Sequence, residues 1–465
     1  MPNMRMSVRN IVVCIVLVAA VLAGLFFFIL PELKVKRILS GYQAGRTYGN
    51  VTIDCPLNGT VFPPDISPPV FGWHSDESNA DTWLIAFKFP DNGKHMEFIT
   101  NSKKWEPTLR QWEKVKTFCV EKPAIVSVIG VKGSAPNVIL CSKSFSIKVS
   151  CDPVDAPIFY RDVNLPFSEA VKDPSMICWR FGYVSSVQQP SVVLQGLPVC
   201  GNCHSFSSNG KVLGMDIDYA NDKGSYVTAP VSSEIALTKE RIITWSDYRK
   251  EDGEQTFGLL SQVSPDGRYV ISTVKDRSVF VATPGLEFSQ LFFPIQGILA
   301  VYDRHTAEFK SLPGADNAEF VQSNPAWSPD GRSIIFARSK AYRLRNLSRK
   351  NKVLLTQEEC VEFQKEGKTF LYDLYRIPFN EGKGGVPEPV KGASHNGRSN
   401  FFPKYSPDGK WIVFCMASSF MLLQPDSELF IIPAEGGDAR RLECNTPRMN
   451  SWHSWSPNSR WIVFS

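Results

Sequence analysis

One turn sequence recurs along the C-terminal part of the chain. It reads Val263-Ser264-Pro265-Asp266-Gly267-Arg268-Tyr269, then Trp327-Ser328-Pro329-Asp330-Gly331-Arg332-Ser333. Tyr405-Ser406-Pro407-Asp408-Gly409-Lys410-Trp411 and Trp455-Ser456-Pro457-Asn458-Ser459-Arg460-Trp461 follow, and Phe206-Ser207-Ser208-Asn209-Gly210-Lys211 is a degenerate copy. An apolar or aromatic residue ends one strand, the turn reverses the chain, and an apolar strand such as Ile412-Val413-Phe414 follows. Proline presets φ at the first central position, aspartate can bond nearby backbone amides, and glycine accepts φ > 0. A later strand also recurs, at Ile298 to Tyr302, Leu374 to Pro378 and Glu428 to Pro433. The last two lead into glycine-rich turns at Gly382-Lys383-Gly384-Gly385 and Gly436-Gly437. Unrelated hairpins would not repeat one turn sequence in this way.

These units resemble the TolB-like β-propeller repeat over roughly the last 260 residues. The resemblance implies four-stranded blades, about six to eight of them, around a central channel. Turn positions Gly210, Gly267, Gly331, Gly409 and Ser459 stand 57, 64, 78 and 50 residues apart. A minimal blade takes roughly 40–50 residues, so several units carry insertions. The polar stretch Arg343 to Gly367 is one. Five turns leave at least one blade divergent or missing, and the sequence stops within a unit at Ser465. Either the chain is a fragment, or the segment near Ile158 to Phe167 supplies the closing strand.

Ahead of the repeats, Val51 to Val149 alternates apolar segments with turn-rich gaps, the pattern of a β-sandwich. It resembles a fibronectin type III-like module, with Trp73 in the core and Trp105 and Trp112 packing the core or its edge. Further upstream, Ile11 to Leu30 is an unbroken apolar stretch, close to the roughly 20 residues that cross a bilayer as a helix. Arg5 and Arg9 precede it, and Lys34, Lys36 and Arg37 follow, so flanking charge does not fix its orientation. No small-residue cleavage site follows it, which favours an uncleaved signal anchor. The expected fold is all-β: an N-terminal transmembrane helix within 1–36, a fibronectin III-like β-sandwich over 51–150, and a TolB-like β-propeller over 155–465. The net charge of +5 is small for 465 residues and marks a solvated surface, with no nucleic acid as partner.

Cys200-Gly201-Asn202-Cys203-His204 fits C-x-x-C-H, once in the chain. Two thiols at that spacing can add to the two vinyl groups of one haem, and the adjacent histidine then reaches the iron. Such attachment takes place outside the cytoplasm, which would put the N-terminus inside and the bulk of a single-pass protein in the periplasm or at the cell exterior. A redox dithiol would need a βαβ setting, and zinc a second Cys/His pair at ligand spacing. The segment Leu197 to Ser207 also resembles the haem-motif segment inside TolB-like propellers of some bacterial exported proteins. That resemblance implies covalent haem c on Cys200 and Cys203 with His204 as proximal ligand.

For the sixth iron position, His453 ranks above Met215, and Met215 above His395. Each has a bland reading: Met215 sits in an apolar strand pattern, and the histidines commonly serve as surface or hydrogen-bonded residues. Asp216, Asp218, Asn221 and Asp222 could offer oxygen ligands to Ca²⁺, although turn capping is the commoner use of such a cluster. Of eleven cysteines, eight lie outside the membrane stretch and the haem motif, with Cys119–Cys141 and Cys55–Cys151 as local pairing options.

No G-x-S-x-G, Walker loop or dinucleotide fingerprint occurs. An enzyme would therefore have to use the haem itself, for instance as a peroxidase. The reading is electron transfer or redox sensing, with a protein partner docked on the propeller face. The alternative is a non-redox binding or scaffolding propeller of the cell envelope.

Overall fold

The computed structural model describes residues 30–91, 93–163, 173–197, 203–220, 222–254, 256–283, 290–347 and 353–465. The expected membrane helix falls, except for Leu30, outside the described residues. Among the described residues no helix is long and apolar enough to cross a membrane. The chain divides into one unit of Met1–Val154 with Tyr183–Gln189 and a second of Asp155–Gly182 with Pro190–Ser465.

The first unit is a two-sheet sandwich. Strands β1 (Thr52–Cys55), β3 (Phe71–His74) and β6 (Lys104–Trp105) form one sheet. The other runs in the order β2 (Thr60–Phe62), β8 (Ala135–Val149), β7 (Ala124–Lys132), β4 (Thr82–Phe89), β5 (Lys94–Thr100). Trp83, Ile85, Phe87 and Phe89 alternate along β4 into the core between the sheets, where Trp73, Trp105 and Trp112 are also buried. Leu84 and Ala86 point the other way and meet Ile38 of helix α1 (Leu30–Gly41), which covers the outer face. That second burial explains why β4 reads as a continuous apolar run; covering a side chain the size of Ile38 stabilises by ~1.5–3 kcal/mol.

Helix α2 (Leu109–Phe118) stands where the alternating pattern predicts only strands and turn-rich gaps. Thr108 and Gln111 form a capping box, and Trp112 donates to the Ile66 carbonyl at 3.1 Å. The two cysteine pairings are not made, because the nine described cysteines are all free thiols. Cys119 donates to the Val115 carbonyl of its own helix at 3.2 Å, and Cys55 to that of Val70 at 3.3 Å.

The repeats of the second unit form a series of antiparallel sheets, the second and third joined by one parallel bridge between Gly297 and Val321. The first has four strands in sequence order: β12 (His204–Phe206), β13 (Val212–Asp216), β14 (Ser225–Pro230) and β15 (Ile242–Thr244). The next comprises β16 (Leu259–Val263), β17 (Tyr269–Ala282), β18 (Gln290–Asp303) and β19 (Glu308–Ser311). The third comprises β20 (Phe320–Trp327), β21 (Ser333–Lys340), β23 (Asp373–Pro378) and β24 (Glu388–Pro389). The fourth is β25 (Ser399–Tyr405), β26 (Trp411–Ala417), β27 (Glu428–Pro433) and β28 (Arg440–Arg441); the fifth is the pair β29 (Ser454–Trp455) and β30 (Ile462–Val463). The far half of the long β17–β18 hairpin packs into the main core through Val279, Phe293 and Ile295, and there β22 (Leu354–Leu355), from the expected insertion, adds in parallel to β17.

Every turn copy makes the same bonds. Ser264 Oγ accepts from the Tyr269 amide at 2.8 Å, and Asp266 accepts from the Arg268 amide at 2.9 Å and bonds the Ser264 hydroxyl. Ser328/Asp330, Ser406/Asp408 and Ser456/Asn458 repeat this, and so does the degenerate Ser207/Asn209. The first strands then bond from sheet to sheet. Val263 N–H donates to Ser205 Oγ at 2.9 Å, Trp327 Nε1 to the Gln262 carbonyl at 3.3 Å, and Trp455 Nε1 to that of Lys404 at 3.2 Å. Four-stranded meanders joined inner strand to inner strand are the arrangement of propeller blades. The described part of the expected closing segment, β9 (Pro157–Asp162), pairs not with the fifth sheet but with β10 (Cys178–Tyr183), which in turn pairs β11 (Ser191–Gln195).

Candidate functional site

The C-x-x-C-H motif ends on the innermost strand of the first sheet. Cys200 lies outside the described residues, while Cys203 stands at the edge of β12 and His204 opens it. Asp216 clamps Cys203: its amide donates to the Cys203 carbonyl at 3.0 Å, and its Oδ2 accepts from the Cys203 amide at 3.3 Å. Burial pushes the Asp216 carboxyl up to about 8, against the pull of its hydrogen bonds from Cys203 and Ser261. Burial also raises the Cys203 thiol well above its ordinary value, Asp216 adding to this and Lys404 opposing it.

The His204 ring stands edge-on to Phe159, centroids 4.7 Å apart, and near Phe206. Its Nδ1 is buried with no hydrogen-bond partner among the described residues. Burial lowers its pKa to about 4, with the Lys404 charge adding to the effect and a hydrogen bond from the ring to the Phe159 backbone opposing it, so the ring is neutral near pH 7. A neutral imidazole is the form that ligates a metal.

Aligning the copies on their turn serines shows what the motif replaces. Three residues before the serine stand His204, Ser261, Pro325, Pro403 and His453; four before it stand Cys203, Leu260, Asn324, Phe402 and Trp452. The last four of these have positive φ, between 51° and 60°, and Leu260, Asn324 and Phe402 sit at a bulge in the inner strand. Cys203-His204 is therefore the counterpart of these bulge residues in the repeat, in register with Trp452-His453, although β12 itself carries no bulge. That register was present in the sequence and becomes informative only once the turns are superposed.

The remaining candidates are dispersed. His453 is buried, its Nε2 donating to the Val413 carbonyl at 3.0 Å and its Nδ1 3.8 Å from Cys415 Sγ; burial holds its pKa at about 4. Met215 is the cross-strand partner of His204 and packs with Ile177, Trp179, Ile217 and Val227, beside the histidine rather than facing it. His395 lies on an exposed turn, its Nδ1 3.2 Å from Asp373 and its amide donating to the same carboxylate. The acidic cluster serves separate partners. Asp216 holds Cys203, Asp218 pairs with Lys223, and Asp222 accepts from the Gly224 amide and the Ser246 hydroxyl, both at 3.0 Å. Asn221 is outside the described residues, and no group of three His, Cys, Asp or Glu among them is arranged to hold a metal ion. Asp216, offered by the sequence for Ca²⁺, serves here as a clamp on Cys203, and Lys404, which no motif marks, is a nearby charge.

No family model and no curated protein matches the chain. Solved structures give distant likenesses. A protein described as TolB from Agrobacterium tumefaciens is 14% identical, with 60% of this chain and 94% of that one covered at a TM-score of 0.28. An oligogalacturonate lyase from Vibrio parahaemolyticus is 13% identical, with 66% of each covered at 0.33. Hydrazine synthase of Kuenenia stuttgartiensis is 14% identical, with 91% of this chain and 95% of that one covered at 0.34. At these values no residue's role passes from those proteins to this one.

Proposed function

We propose that this chain is a membrane-anchored, extracytoplasmic propeller protein carrying one c-type haem, used in electron transfer or redox sensing through a docked protein partner. Cys200 and Cys203 hold the haem and His204 takes the proximal position on the iron. The observation that carries this is His204: a neutral imidazole with a buried, unpartnered nitrogen, beside a thiol in no disulfide. A bound haem would supply a one-electron couple whose potential depends on the second axial ligand and on nearby charge. His453 remains first for that second position and must give up its bond to the Val413 carbonyl to take it. Met215 and His395 stand behind it.

A second reading is favoured by His453 itself. A histidine at the same repeat position there has its ring nitrogens engaged by Val413 and Cys415, which is a purely structural use. On that reading the protein is a non-redox scaffold of the cell envelope. The deciding experiment is the pyridine haemochrome spectrum of protein exported from a host with cytochrome c maturation. A c-type band that disappears in the Cys200→Ala, Cys203→Ala variant is expected; folded, exported protein with no band would leave the scaffold. Retention in the membrane pellet after alkaline extraction, lost when residues 1–29 are removed, tests the anchor.

A further inference from the structure

Lys404 is the charged residue among the five equivalent positions two before the turn serine; the others are Ser205, Gln262, Ala326 and Ser454. Four uncharged residues of different size serve there, so the fold itself does not demand a lysine. The Lys404 ammonium donates to Gln262 Oε1 at 3.0 Å, although the two residues belong to sheets separated by a third. Its charge also acts on Cys203 and His204 of the first sheet and on His453 of the fifth. Hydrogen-bonded to the second sheet and within electrostatic reach of the first and fifth, the side chain stands where the inner strands converge. Two indole bonds fix the surrounding backbone, Trp327 to the Gln262 carbonyl and Trp455 to that of Lys404. No carboxylate among the described residues forms an ion pair with Lys404, whereas the surface lysines Lys122, Lys148 and Lys223 each have one. Burial pulls the Lys404 pKa down to about 8, so most of the population is still cationic at neutral pH. A half-buried ammonium with no ion pair carries a desolvation cost that an arriving anionic group would offset.

We propose that Lys404, with Gln262 beside it, binds a carboxylate where the inner strands of the repeat sheets converge. Two sources share this chemistry: a propionate of the haem on Cys200 and Cys203, which rests on the haem reading above, or the carboxylate of a free ligand, which does not. Lys404 has a shape-matched neutral replacement in methionine, and removing a half-buried charge that has no ion pair among the described residues should leave the melting temperature equal or higher.

The test compares Lys404→Met and Lys404→Gln with the wild type in the full chain. If the carboxylate is a propionate, haem content stays unchanged and the haem reduction potential falls in both variants, because the lost cation had favoured the ferrous state. If it is free, the haem-less Cys200→Ala, Cys203→Ala protein binds acetate or gluconate in a titration, and adding Lys404→Met weakens that binding at least tenfold. Wild-type protein that acquires no haem removes the first arm and the haem reading together, while the second arm still decides on Lys404. The proposal is overturned if neither potential nor carboxylate binding responds, or if both variants fail to fold, since the charge would then serve the fold.

Discussion

At the residue scale, burial decides which ionisable groups carry consequences. Asp276 is buried and accepts from the Phe257 amide at 2.9 Å, the Gly258 amide at 3.4 Å and the Ser278 hydroxyl at 3.3 Å. Desolvation still outweighs those bonds and raises its pKa to about 6. A carboxyl whose folded pKa exceeds its unfolded value of about 4 contributes stability that is complete below pH 4 and is lost as pH rises through 6. Asp276→Asn should therefore flatten the fall in stability between pH 4 and 8 by on the order of 2 kcal/mol. Its amide oxygen can keep the two backbone donors and its NH₂ can meet Ser278. Urea midpoints across that range check this, and parallel curves for variant and wild type would refute it. The C-x-x-C-H motif was legible in the sequence because it is a spacing. Asp216 was not, since its alternating acidic neighbours suggested calcium, and its real partner, Cys203, lies across a strand pair. Lys404 offered no local signal at all; its meaning depends on three other sheets.

At the scale of elements, the repeated turn is a small hydrogen-bonded ring built by serine and aspartate. Ser406 Oγ accepts from the Trp411 amide at 3.0 Å and donates to Asp408 Oδ1 at 2.6 Å, and Ser406 is wholly buried. Ser406→Ala leaves the amide unpaired and should cost about 1–2 kcal/mol in chemical denaturation. The Asp408 carboxyl should rise as well, because the Ser406 hydroxyl is the first of the bonds holding it low. A loss below ~0.3 kcal/mol would mean that proline and glycine alone set the turn. These turns and the strands β23 and β27 were readable because each rests on residues within a few positions. Helix α2 was missed for a different reason. Its capping box and its buried Trp112, Val115 and Cys119 are local signals, but the surrounding strand rhythm outweighed ten residues of helical spacing. That Pro157–Asp162 pairs with β10 was not readable, because pairing between separate segments leaves no local mark.

For the repeat unit taken whole, stability has to come from sheets packed on one another, since a lone antiparallel meander buries only part of its apolar surface. The polar ties between inner strands form a connected path. Trp327 bonds the Gln262 backbone, the Gln262 side chain bonds Lys404, and the Lys404 carbonyl receives Trp455. Trp327→Phe and Trp455→Phe each remove one hydrogen bond while keeping most of the packing, a loss of about 1 kcal/mol apiece. Distant, independent sites would add to within ~0.5 kcal/mol. Here the two indoles brace opposite ends of the Gln262–Lys404 contact, so the double variant should depart from the sum by about 0.5 kcal/mol or more. In a Lys404→Met background the path is cut and the two effects should become additive. Additivity in the wild-type background would mean that the third sheet insulates its neighbours and that the lysine contact transmits nothing. Coupling that survives Lys404→Met would place the communication in the packed strands β16, β20 and β25 themselves.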